Sequence, residues 1–144
     1  MYRLKGALWA ASMFLVFSAC TGSDGPAGPP GVPNMTSKKF NGVALTWTDK
    51  VIVSTNFKVA TLSIPEITQD VIDRGLVMVY AELPGEGATW SALPYSYRAA
   101  GPVYSYGFVI DPGTVELRFH RSDNVVPGIP SSQFRIVVVP PTAE

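Results

Sequence analysis

The run Thr114-Val115-Glu116-Leu117-Arg118-Phe119-His120-Arg121 decides the fold class. Val115, Leu117 and Phe119 alternate with Glu116, Arg118 and His120, the period of a half-buried β-strand whose successive side chains point to opposite faces. Asp111-Pro112-Gly113, directly before it, is a strong turn signal. Upstream, residues 89–98 and 103–110 read as two strands around Ala99-Ala100-Gly101-Pro102, a four-residue hairpin turn. Downstream, residues 124–132 contain Pro127, Gly128 and Pro130 and read as a long loop. Residues 134–139 form an apolar strand broken only by Arg135 and ended by Pro140-Pro141.

The earlier part of the chain follows the same grammar. Residues 34–39 are a polar lead-in, and the globular composition begins near Phe40. Residues 43–48 and 51–55 are short β-rich runs joined at Asp49-Lys50. Residues 57–64 read as a strand whose two sides are both mixed, so its buried face stays open. Residues 65–75 are the one helix candidate, with Ile67, Val71 and Ile72 at near-helical spacing and Gly75 as the stop. Residues 76–83 are apolar at both parities until Glu82, which predicts a central strand covered on both faces. About seven or eight strands with turn signals every 8–12 residues predict an all-β fold. The expected architecture is a single antiparallel β-sandwich of immunoglobulin-like size. The Cys…Trp…Cys spacing of true immunoglobulin domains is absent.

The N-terminus carries a different message. Residues 1–19 have Arg3 and Lys5, then an apolar run from Leu8 to Phe17 interrupted by Ser12, then the small pair Ser18-Ala19. This is the layout of a cleaved signal peptide. The run is shorter than the roughly 20 residues a membrane-spanning helix takes. Cys20 is the only cysteine, so no internal disulfide is possible. Its place directly after Ser18-Ala19 resembles the lipobox of bacterial lipoproteins, with Phe17 where Leu is commoner. That resemblance implies cleavage before Cys20 and acylation of its thiol. Each buried acyl CH₂ contributes roughly 0.8 kcal/mol, and two or more chains hold a protein on a membrane where one does not. Thr21 follows Cys20 rather than the Asp that marks inner-membrane retention in lipoproteins, which implies an outer-membrane address within the cell envelope.

Residues 22–33 are four consecutive Gly-X-Y triplets, three of them with Pro. Glycine at every third position is what a collagen triple helix needs at its axis. Two readings stand: a stiff polyproline-II spacer of about 3.1 Å per residue, or a short stalk that joins three chains. The expected organisation is a signal over 1–19, lipidated Cys20 with a collagen-like spacer over 20–38, and the β-sandwich over 39–144. Losing residues 1–19 removes Arg3 and Lys5 from 11 basic groups, leaving nine against 11 acidic ones. A near-neutral chain without a basic run is a poor partner for nucleic acid.

Taken together, the chain resembles a group of small, uncharacterised collagen-like lipoproteins of Bacteroidota-type bacteria. The resemblance rests on Cys20, the Gly-Pro triplets after it, the strand Leu76-Val77-Met78-Val79-Tyr80, the Trp90…Leu93-Pro94 segment and the terminal Phe134-Arg135-Ile136-Val137-Val138-Val139-Pro140. It implies an envelope lipoprotein without an assigned activity, and it brings no catalytic residues.

The residues themselves point away from an enzyme. His120 is the only histidine and alternates onto an outer face between Arg118 and Arg121. No nucleophile-elbow motif accompanies it, and a triad needs a nucleophile and an orienting acid beside the imidazole. One His and one Cys cannot build the usual zinc sets. Asp70 and Asp73 read as a solvated helix face. Glu82, Glu86, Asp111 and Asp123 offer carboxylates but no spacing that selects a glycosidase pair. No P-loop or dinucleotide glycine pattern is present, and no cofactor is expected. The one constellation is aromatic. A four-residue loop at 99–102 sets Tyr97 opposite Tyr104 and Tyr95 opposite Tyr106, all on one sheet face. Alternation makes that face the core, because Ser96, Arg98, Ser105 and Gly107 share the other. The alternative is a glycan- or peptide-binding platform of Tyr95, Tyr97, Tyr104, Tyr106 and Trp90, or of the loops at 84–90 and 122–132. The expectation is therefore a non-enzymatic structural or interaction module, tethered to a membrane, with an envelope protein or glycan as partner.

Overall fold

The computed structural model describes residues 35–83, 87–130 and 132–142. The expected signal, Cys20 and the Gly-X-Y run lie outside them. The decisive run forms β8 (Thr114–Arg121), the middle strand of a five-stranded antiparallel sheet. Its neighbours are β3 (Thr55–Ser63) and β7 (Val103–Asp111), with β2 (Thr48–Ile52) and β6 (Tyr95–Arg98) at the edges. A second antiparallel sheet runs β1 (Thr36–Asn41), β9 (Gln133–Val139), β4 (Leu76–Glu82) and β5 (Trp90–Ala92). The two sheets pack as a β-sandwich. Leu62, Tyr106, Val115, Leu117 and Phe119 from one meet Val79, Ala81, Phe134, Ile136 and Val138 from the other. Each Val, Leu, Ile or Phe side chain so taken from water contributes about 1.5–3 kcal/mol.

The one helix, α1 (Gln69–Arg74), starts where Thr68 Oγ1 accepts from the Val71 N–H and ends with the Gly75 N–H on the Val71 carbonyl. Ile67 and Val71 close one end of the core. No helix among the described residues is long and apolar enough to cross a membrane.

Five local expectations differ from the structure. The polar lead-in Thr36-Ser37-Lys38-Lys39 is already strand β1, paired with β9 from Thr36↔Val138 to Asn41↔Gln133, so the sandwich begins before residue 39. Lys38 shares the inward parity with Phe40 but sits on an edge strand, where its ammonium reaches Glu66 at 2.7 Å. Residues 43–47 are not a strand, and β2 begins only at Thr48: Gly42–Ala44 forms a 3-10 turn, with the Gly42 N–H docked on the Ser132 carbonyl at 2.9 Å. The turn between the next two strands is Val53-Ser54, both at positive φ, rather than Asp49-Lys50. Finally, residues 89–98 are two strands. Leu93-Pro94, a cis peptide, carries the chain from β5 in one sheet to β6 in the other. β4 also departs from full cover: Val79 and Ala81 are buried, whereas Leu76 on the outer side is 51% exposed.

The strand directions define two ends. β1 enters at Thr36 beside Val138, at the end that holds α1 and the β7–β8 turn. Six residues of strand, at about 3.3 Å each, carry it to the opposite end. There the 3-10 turn, the Val53-Ser54 turn, the β6–β7 turn and the loop at 122–130 come together.

Candidate functional site

The tyrosine row takes the expected register: Tyr95 is opposite Tyr106 and Tyr97 opposite Tyr104. It faces inward. Tyr106 is 3% exposed, and Tyr95, Tyr97 and Tyr104 pack half-buried against the core. An exposed platform of four rings is therefore not what the strand pairing builds. Tyr97, Tyr104, Tyr106 and Phe119 instead form a ladder of near-parallel rings. Tyr97 and Tyr104 are 5.3 Å apart at 11°, and Tyr106 and Phe119 are 4.4 Å apart at 17°. The Tyr106 hydroxyl meets Ser132 Oγ at 3.1 Å. Burial pushes the Tyr106 phenol up to about 12 and raises that of Tyr97 as well. Both stay neutral hydrogen-bonding groups at any physiological pH.

The ladder runs out at the loop end, where a 230 Å³ pocket opens between Tyr97, Tyr104 and Phe119 on one side and Gly128, Ile129 and Pro130 on the other. The Arg121 guanidinium covers the Tyr104 ring at 5.3 Å and pairs with Asp123 at 2.7 Å. The tyrosine row and the 122–132 loop, two separate candidates in sequence, thus share one pocket. Around it the loop end carries an apolar rim. Val53 is 94% exposed, and Val43, Val125, Val126 and Ile129 are exposed too. Asn124 ties the Val53-Ser54 turn to the long loop, its Nδ2 donating to the Ser54 carbonyl and its Oδ1 accepting from the Asn56 N–H. Sequence reading passed over these aliphatic residues. The available signal was Val53 and Val125-Val126-Pro127, apolar side chains where the chain turns.

Trp90 lies elsewhere, on the outer face of the four-stranded sheet. The Arg135 guanidinium stands 4.9 Å from the Trp90 ring and 4.8 Å from Tyr80, and the Lys39 ammonium is 5.6 Å from Trp90. Cation–π contacts of this kind fix the ring and cover the sheet face. They do not join Trp90 to the tyrosines.

His120 points outward as expected, its ring 4.9 Å from that of Phe57. Asp70 pairs with Arg74 on the exposed face of α1, and Asp73 accepts from Gln69. Glu86 and part of the 84–90 loop lie outside the described residues. Hydrogen bonding from Lys38 holds the Glu66 carboxyl below its usual range. Burial pushes Glu116 up, but hydrogen bonds from Lys50 and Arg118 outweigh it and leave the carboxyl lowered. Asp123 is lowered in the same manner, against its own desolvation, by Arg121 and the Val125 N–H. No group of three His, Cys, Asp or Glu among the described residues is placed to hold a metal ion. Comparison with protein-family models, with characterised proteins and with solved structures finds no match to this chain.

Proposed function

We propose that the chain is a lipid-anchored protein of the cell envelope, with an outer-membrane address, whose β-sandwich is a non-enzymatic interaction module. The observation that carries this reading is the polarity of the sandwich. The chain enters at Thr36, and the exposed aliphatic residues and the tyrosine pocket gather at the opposite end. A module tethered through Cys20 and the Gly-X-Y run then holds its loop end away from the anchor. Exposed apolar residues gathered on one surface are the mark of a contact site. The acids support a non-catalytic reading. Glu66, Glu116 and Asp123 are each engaged with a Lys or Arg and held low, whereas a general acid or base works best near the ambient pH.

Membrane fractionation with protease shaving of intact cells, wild type against Cys20→Ser, tests the proposal. The wild type is expected in the membrane fraction and the variant soluble or unprocessed. Equal, soluble fractionation of both would end the lipid-anchor reading. Shaving separates a surface position from a periplasmic one.

A second reading, a glycan- or peptide-binding module, is favoured by the loop-end pocket. Tyr97 and Tyr104 there present ring surface beside Ile129 and Pro130. Its test is tyrosine fluorescence with and without oligosaccharide. A saturable change lost in Tyr97→Ala supports it, and an unchanged spectrum opposes it.

A further inference from the structure

The outer face of the five-stranded sheet holds a hollow that none of the preceding roles uses. Strand register aligns two rows of side chains there. One row runs Phe57, His120, Ser105, Ser96 across β3, β8, β7 and β6. The next runs Val59, Arg118, Gly107, with Pro94 beyond. Gly107 is the gap in the second row. A Cβ placed on it meets nothing within 4 Å, and its φ is ordinary, so glycine is not required there by strain or crowding. The missing side chain bares the β7 backbone as the floor of a 340 Å³ hollow. That volume falls at the lower end of ligand sites, which run about 300–1,000 Å³.

The walls define the ligand. Phe57 supplies an apolar ring face, steadied by the His120 ring. The Ser96 and Ser105 hydroxyls lie 2.7 Å apart and share one hydrogen bond, which leaves one donor and several lone pairs for a visiting hydroxyl. Arg118 gives its Nε to Glu116 at 2.7 Å, and no bond among the described residues uses its terminal nitrogens. Lys50 pairs with the same Glu116 at 2.7 Å, so two cations face one carboxylate and the wall keeps a net positive charge. Val59, on the outer side between Phe57 and Thr61, is only 5% exposed, because the Lys50–Glu116 bridge crosses its position. The network that carries the surplus charge is therefore packed down on the sheet.

An apolar ring face, a hydroxyl pair and a guanidinium around one shallow hollow match a pyranose that carries a carboxylate. We propose that this hollow binds an anionic saccharide of the hexuronic acid class. The C–H face of the sugar lies against Phe57, its hydroxyls reach Ser96 and Ser105, and its carboxylate pairs with Arg118. The forked geometry of Arg suits that last pairing. The site lies apart from the loop-end pocket and does not depend on how the chain is anchored.

The test is calorimetric titration of the full chain in detergent, with a uronic acid tetrasaccharide and the neutral tetrasaccharide of the same linkage. The wild type is expected to bind the uronate with a Kd of about 1 mM or tighter, at least about tenfold tighter than the neutral sugar, and more weakly as salt rises. Gly107→Val fills the hollow and is expected to weaken binding of the uronate by about tenfold or more, with its unfolding temperature near that of the wild type. Arg118→Gln is expected to bring the uronate down to the neutral sugar's affinity. The proposal fails if neither sugar binds at 10-fold above that Kd (about 10 mM). It fails equally if the wild type does not distinguish them, or if Gly107→Val binds as tightly as the wild type.

Discussion

The hydroxyls of Tyr106 and Ser132 meet at 3.1 Å in the buried interior and tie the five-stranded sheet to the segment that leads into β9. Ser132 is 0% exposed. Tyr106→Phe therefore leaves a buried hydroxyl with one partner fewer. Such a deletion costs about 1–3 kcal/mol. Chemical denaturation of the two proteins is expected to show a lower midpoint with an unchanged slope.

The same phenol makes stability pH-dependent. The Tyr106 pKa is raised by burial from the usual 10.0 to about 12. The folded state thus holds the proton more tightly than the unfolded chain. The stability it contributes is complete below pH 10 and is lost as the pH rises through about 12, at up to about 1.36 kcal/mol per unit. Unfolding curves between pH 9 and about 12 are expected to fall for the wild type and less steeply for Tyr106→Phe. Tyr97, raised in the same direction, keeps part of the slope in the variant.

Gly42 and Gly107 are expected to respond oppositely to a methyl group. A Cβ on Gly42 would stand 2.3 Å from the Ser132 carbonyl oxygen and 3.0 Å from the Phe134 ring. Backbone cannot move aside there without breaking the Gly42–Ser132 hydrogen bond. Gly42→Ala is expected to destabilise by about 2–4 kcal/mol or to prevent folding. Gly107→Ala, in open space, is expected to stay within about 0.5 kcal/mol of the wild type. Thermal unfolding of both variants checks the contrast.

Lys38 guards an edge. It stands at an inward position of β1, opposite Ile136, and its ion pair with Glu66 is part-exposed. Such a pair contributes about 0–1 kcal/mol. An inward charge on an edge strand does more to prevent strand-to-strand association. Lys38→Ile is expected to leave the unfolding temperature nearly unchanged and to raise the aggregated fraction in light scattering.

Much of this fold was legible because its central strands obey simple periods. β8 matches its alternating run from Thr114 to Arg121, and the register of Tyr95 and Tyr97 against Tyr106 and Tyr104 follows from a loop of the expected length. Gly75 ends α1 as expected, whereas the helix starts only after the Thr68 cap rather than at residue 65. What escaped depends on contacts far away in the chain. β1 reads as polar because Phe40 is the one apolar residue of this edge strand, and Thr, Ser, Lys and Asn fill its other positions. Residues 43–48 have strand-like composition, but Gly42 is claimed by Ser132, 90 positions on. The Val53-Ser54 turn has no Gly, Asn or Asp at its two positive-φ positions and is held instead by Asn124. Of the site, the tyrosine pairing was legible. The pocket was not, since it needs Ile129 and Pro130 folded over Tyr97 and Tyr104.

The anchor is the claim on which the proposed function rests, and intact mass measurement of the protein extracted from membranes tests it most directly. The account predicts a chain that begins at Cys20 and carries the added mass of two or more acyl chains. A chain that begins elsewhere, or one that begins at Cys20 with an unmodified thiol, would contradict it.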